Sequence, residues 1–289
     1  EGEAMSGKDG KPGWSCYSGP GLPDRQAFKQ IGGAGGAQRV KRGEDSGFGQ
    51  PGLVAGWVPG QDPVIYPDNS GILLQPGDEL VLQIHYHYDK APQPDQSTVS
   101  LQLTPGTQAV KPISIVNPIA PVEIPCMPGQ TAPLCDRNAS LANDGQLYGP
   151  LGSLAEPALL GACGKTADQL AAQFVDGVAH TTCDFKVPQN GYIVAAMGHM
   201  HTLGKSFRFT LNPGTPQQQV LLDIPTWNFD WQMNYALAKP LHVTAGETIE
   251  MSCSWDRSLD PNRAPKYIVF AEGTEDEMCV GTYVMIPDK

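Results

Sequence analysis

The chain has 289 residues, among them 33 glycines and 27 prolines, and a formal net charge of −11. That much Gly and Pro excludes a helical bundle or coiled coil, and no Gly-x-y period marks a collagen. The acidic surplus argues against binding a phosphate backbone, which needs clustered Lys and Arg, and no apolar run approaches the roughly 20 residues that cross a bilayer as a helix.

Along the chain, residues 1–50 are rich in Gly, Lys and Asp, with 32–36 as a flexible stretch. Apolar structure begins over 53–58. The turn at Pro76-Gly77-Asp78 leads into a strand expected over 79–88, where Leu80, Leu82, Ile84, Tyr86 and Tyr88 share one face and Val81, Gln83, His85 and His87 the other. A short alternating strand is expected over 98–103, and Thr104-Pro105-Gly106 breaks it, so a domain boundary is expected there. A β-like run follows over 113–116. From about 125 to 178 comes a stretch with three cysteines and many Gly and Pro, whose one helical signal is 166–174, with a polar start and strong helix formers. This stretch reads as a disulfide-pinned insertion. Strands are expected again over 191–197, 207–211, 220–224, 241–244, 248–253 and 281–286. Many short strands separated by frequent turn signals point to sandwiches, not to a parallel α/β fold.

The seven cysteines are Cys16, Cys126, Cys135, Cys163, Cys183, Cys253 and Cys279. None lies in a C-x-x-C, which removes zinc-ribbon and thioredoxin motifs. Scattered through a Gly/Pro-rich β-type chain they read as disulfides, hence a secreted, extracellular or periplasmic setting; the alternative is buried free thiols in a cytosolic protein. Seven is odd, so one thiol is free or pairs outside this chain. Asn138-Ala139-Ser140 is an acceptor sequon for N-glycosylation.

Four of the six histidines form two H-x-H pairs, His85/His87 and His199/His201. On a strand, positions i and i+2 point the same way, so each pair can present two imidazoles on one face. Imidazole is the commonest transition-metal ligand. The competing reading is polar residues on ordinary strands. His180 and His242 have no such setting and read as structural or surface residues.

The second pair lies in Gly198-His199-Met200-His201-Thr202-Leu203-Gly204-Lys205, and Thr274-Glu275-Asp276-Glu277-Met278-Cys279 follows near the C-terminus. Together these resemble the copper type II ascorbate-dependent monooxygenases, the family of peptidylglycine α-hydroxylating and dopamine β-monooxygenases. In that family an H-x-H before a leucine-glycine turn and the Met of a D-E-M-C segment hold the catalytic copper. His199, His201 and Met278 stand in those positions, and the resemblance makes them both the catalytic residues and the metal ligands. Leu82-Gln83-Ile84-His85-Tyr86 resembles the strand giving one histidine to the family's electron-transfer copper, so His85 is a further ligand and His87 an extra residue. The resemblance also implies a Cys253–Cys279 disulfide. Residues 224–232 are similar to the version in bacterial members.

The ligand types fit independently: two neutral imidazoles and a soft thioether favour Cu(I), and three ligands leave open positions for O2. The resemblance implies two copper ions, ascorbate as reductant, and hydroxylation of a substrate C–H bond. The architecture it implies is all-β: two jelly-roll-like antiparallel β-sandwiches, an N-terminal electron-transfer side (1–106) and a C-terminal catalytic side (107–289), with the partly helical insertion at about 125–178.

Two departures sharpen the expectation. No histidine precedes His85, whereas the family's electron-transfer copper uses an upstream His-His pair. The start at Glu1, which is neither an initiator Met nor a signal-peptide pattern, leads us to expect that pair before Glu1; the alternative is a one-copper member that does not hydroxylate. The family's substrate-carboxylate arginine, two positions before the H-x-H, is replaced by Met197. A tyrosine that assists there aligns with Thr282, with Tyr283 beside it. The expected substrate is therefore a neutral or hydrophobic small molecule. Two other classes remain: a copper carrier or sensor without oxygenase activity, and a structural extracellular β-sandwich.

Overall fold

The computed structural model describes residues 54–76, 80, 82, 84–86, 91, 94 and 96–288. Its strands in chain order are β1 (Ser70–Gly71), β2 (Lys111–Pro112), β3 (Ser114–Val116), β4 (Glu123–Ile124), β5 (Val178–Lys186), β6 (Gly191–His199), β7 (Gly204–Leu211), β8 (Gln219–Ile224), β9 (Tyr235–Val243), β10 (Thr248–Asp256), β11 (Ile268–Val269) and β12 (Val280–Pro287). The helices are α1 (Arg137–Tyr148), α2 (Pro150–Cys163) and α3 (Ala167–Ala171).

Two four-stranded antiparallel sheets, ordered β5-β10-β7-β8 and β3-β12-β6-β9, make an all-β sandwich, as expected. Period-two alternation sets the buried face of each strand. In β5, Ala179, Thr181, Cys183 and Phe185 are buried while the residues between them are exposed. The first sheet sends Phe207, Phe209, Met251, Cys253 and Trp255 inward, and Ile193, Ala196, Tyr283 and Met285 of the second sheet share that core. Phe209 meets Tyr283 edge-on at 6.2 Å.

Between β4 and β5 lies the insertion, more helical than the sequence suggests. Helix α1 starts at Asp136, whose side chain accepts the Ala139 N–H, and α3 is capped by a reciprocal Thr166–Gln169 box. Only α3 falls within an expected helix. Three disulfides tie the chain: Cys126–Cys135, Cys163–Cys183 and Cys253–Cys279, the last as the resemblance implies. Cys16 lies outside the described residues.

Two expected strands differ. The described residues of 79–88 and 98–103 lie outside strands. Leu80, Leu82, Ile84 and Tyr86, like Val99, Leu101 and Leu103, are exposed. An alternating pattern becomes a strand only where a neighbour takes its backbone hydrogen bonds and a second layer covers its apolar face. The other expected strands stand, most of them longer than expected, and 241–244 is the end of the longer β9. Before β2 the described strand is β1 alone, pairing in parallel with β2, and most of 1–53 is outside description, so the expected N-terminal sandwich is not seen among the described residues. No helix among the described residues is long and apolar enough to cross a membrane.

Candidate metal centre

Strands β6 and β12 are neighbours in the middle of the second sheet, and their register pairs His199 with Val280, Gly198 with Gly281, and Met197 with Thr282. The facing glycines have a steric reason. A Cβ on Gly198 would lie 2.5 Å from the Phe207 ring, and one on Gly281 would lie 2.0 Å from Cζ of Phe209. Both β7 rings therefore press directly on the backbone beside His199. Tyr283, next in β12, is fully buried against Phe209 and points away from the outer face. Val194, Ala195 and Val284 pack on the outside, where Tyr66 and Ile113 cover them.

Beyond the end of β6, Met200 is fully buried in the core, whereas His199 and His201 come together with ring centroids 5.4 Å apart. Each ring is held by an oxygen. His199 Nδ1–H donates to Gln232 Oε1 at 2.7 Å, and Gln232 is turned that way because its Nε2 donates to the Phe229 carbonyl at 2.7 Å. His201 Nδ1–H donates to the Asp276 carbonyl at 3.1 Å. A carbonyl can only accept, so in the neutral rings each of these bonds places the proton on Nδ1 and leaves Nε2 unprotonated.

The turn carrying His201 is fixed from three sides. Glu277, fully buried, accepts the His201 N–H at 2.9 Å and the Leu203 N–H at 2.6 Å. Trp227 Nε1–H donates to the His201 carbonyl at 3.1 Å. Arg263 donates to Thr202 Oγ1 and, at 3.1 Å, to the Glu275 carbonyl. Met278 is part-buried against the core, between Glu277 and Cys279, whose disulfide to Cys253 anchors it to β10.

Electrostatics keep the imidazoles neutral. Burial, with His199 alongside, pushes His201 down to about 3. Burial also lowers His199 against the pull of Gln232, and His85 adds to the fall, so His85 reaches the neighbourhood of His199. His85 itself is exposed, its pKa lowered by partial desolvation. His87 lies outside the described residues. Burial raises Glu277 to about 8, opposed by the N–H groups it accepts. His180 is exposed, and His242 bonds Asp288 at the surface, as expected of both.

Among the described residues no group of three or more His, Cys, Asp or Glu is gathered as a metal site; the candidate centre rests on the imidazole pair His199/His201. The chemistry of the two imidazoles fits a soft monovalent copper, because rings committed through Nδ1 are neutral σ-donors. Sequence reasoning found the two histidines from their spacing. It missed Gln232, Asp276 and Glu277 as their supports; the 224–232 similarity and the D-E-M-C segment contained all three without indicating their roles.

Fold and site together define a β-sandwich domain that presents paired, oxygen-anchored imidazoles from the end of a central strand. Residues 165–286 match the family model for the C-terminal domain of copper type II ascorbate-dependent monooxygenases, which supports that family for this part of the chain. Comparison with curated proteins returns no match.

Proposed function

We propose that the chain is a copper monooxygenase that hydroxylates a C–H bond of a neutral small molecule with O2, using ascorbate as reductant. The observation that carries this reading is the pair His199/His201, ring centroids 5.4 Å apart and both Nδ1 atoms tied to oxygens. In it, His199, His201 and Met278 hold the catalytic copper, and His85 serves a second, electron-transfer copper. Bound copper would supply the one-electron chemistry that lets O2 attack an unactivated C–H bond.

The protein's own part is positional. Gln232 and the Asp276 carbonyl orient the rings, Glu277 fixes the turn between them, and the Cys253–Cys279 bridge restrains Met278. Met197 and Thr282, paired in register next to His199, offer no positive charge to a substrate carboxylate, which supports a neutral substrate. Residues 107–289 form the catalytic side and 1–106 the electron-transfer side in this reading. The three disulfides support an oxidising, secreted or periplasmic setting.

The test is ascorbate-driven O2 uptake by the copper-loaded full chain, compared with His201→Ala. Uptake is expected to be lost in the variant. Equal uptake in both overturns the mechanism, while copper binding with no uptake under any substrate favours a carrier or sensor.

A further inference from the structure

The insertion reaches the metal centre through Asp276. The carbonyl of this residue accepts the His201 proton, and its side chain is buried in a separate polar cluster. Oδ2 accepts the Tyr148 hydroxyl at 2.8 Å, and Oδ1 accepts Lys266 Nζ. Lys266 Nζ also donates to Asp144 Oδ1 at 2.6 Å. Asp144 and Tyr148 stand four residues apart, on one face of α1. The preceding loop is moulded on the same phenol: a Cβ on Gly273 would lie 2.2 Å from the Tyr148 hydroxyl oxygen, and Gly273 accepts the Asp276 N–H at 2.8 Å.

Asp144 and Asp276 are both fully buried, so a lysine and a phenol shared between them constrain position tightly. A surface pair would tolerate rotation; this cluster does not. Both α1 residues precede the segment 165–286 that matches the family domain, so the contact joins the insertion to that segment.

We propose that Asp144, Tyr148 and Lys266 are positioning residues for His201. They clamp the Asp276 side chain, and the carbonyl so fixed holds the imidazole as its Nδ1–H tautomer with Nε2 presented to the metal. The inference rests on the reading of His201 as a copper ligand. It gives the insertion a role: it is the outer support of the metal centre.

Two readouts on the full chain test it, one of them free of metal. Nitrogen NMR of the apoprotein reports the His201 tautomer, and competition with a colorimetric chelator reports Cu(I) affinity. In the unaltered protein His201 should be a single Nδ1–H tautomer. Tyr148→Phe, which removes one hydroxyl and keeps the ring, and Lys266→Gln should each give a tautomer mixture and weaken Cu(I) about tenfold or more, the usual scale for lost outer-shell partners. Lys266→Arg should restore most of both. Leu211→Ala serves as the control: it opens space in the core at the far end of β7, away from α1 and Asp276, so it should lower Tm and leave the tautomer alone. A tautomer unchanged in Tyr148→Phe and Lys266→Gln overturns the proposal, as does an equal disturbance in Leu211→Ala. If the unaltered protein binds no Cu(I), the copper reading fails, and the NMR comparison still decides whether the clamp orients His201.

Discussion

The sandwich and the insertion are held together by different physics. Between the sheets the contacts are apolar and close, with aromatic rings of β7 seated on bare glycine backbone in β6 and β12. The insertion adds apolar anchors of its own, Ala155 and Leu159, but much of its attachment is polar and buried: the ion pairs Arg137 on Glu123 and Lys266 on Asp144, and Glu156 accepting the Val122 and Phe270 N–H groups. Apolar packing fixes where a strand lies and is indifferent to pH. Buried charge fixes orientation, and fails sharply when one partner is removed.

The largest effect should come from cutting the bond that joins the sheets beside Met278. Cys253→Ala with Cys279→Ala opens a 26-residue loop, and should cost about 3–4 kcal/mol in denaturant unfolding. Next, Arg137→Met leaves the Glu123 carboxylate buried with its main partner gone. A loss of about 2–3 kcal/mol is expected, below the usual range for a buried pair because Arg137 is part-exposed, with hydrogen exchange rising in α1 before the sheets. If both regions loosen together, the two are one cooperative unit and the contrast between them is broken.

Gly281→Ala tests the sandwich. The new methyl must displace the Phe209 ring, and overpacking of this kind costs about 1–3 kcal/mol. The ring signals of Phe207 and Phe209 should shift, while α1 and α2 stay as they were.

The smallest effect has the opposite sign. Burial and the nearby Glu123 charge hold Glu156 well above the ordinary carboxylate range. A carboxyl whose pKa is raised on folding contributes stability that is complete below its unfolded value and fades as pH climbs through the folded one. Glu156→Gln should therefore raise Tm by a few degrees near pH 8 and make no difference at the acid end. A Tm gap between the two proteins that stays constant with pH would show that the Glu156 charge does not matter.

The same contrast explains what could be read from the chain. Strands β6 and β10 declare themselves through alternation, because their inward residues are apolar. Strand β5 was hidden because Thr181 and Cys183 occupy two of its four inward positions. Helices α1 and α2 were hidden for a different reason: Asn143, Gly145 and the internal Pro157 are poor helix formers, and caps and tertiary contacts override them. At the site, the His199/His201 spacing was legible because side-chain direction on a strand follows from sequence alone. The acceptor on His201 was not, since any residue has a carbonyl and only the fold decides where Asp276 presents its own. At 79–88 the alternation was present without a covering layer, so the His85 strand was expected where the described residues show none.

Strand β12 enters the middle of its sheet only after β7 to β11 have been laid down. During synthesis, then, His199 and His201 exist for a long interval beside an open slot, with Met278, Glu277 and the Asp276 carbonyl still unmade. Until residues 276 and 277 fold back beside the end of β6, the His201 ring lacks the Asp276 carbonyl and its turn lacks the Glu277 carboxylate that hold it, so the imidazole pair takes its orientation only late in folding.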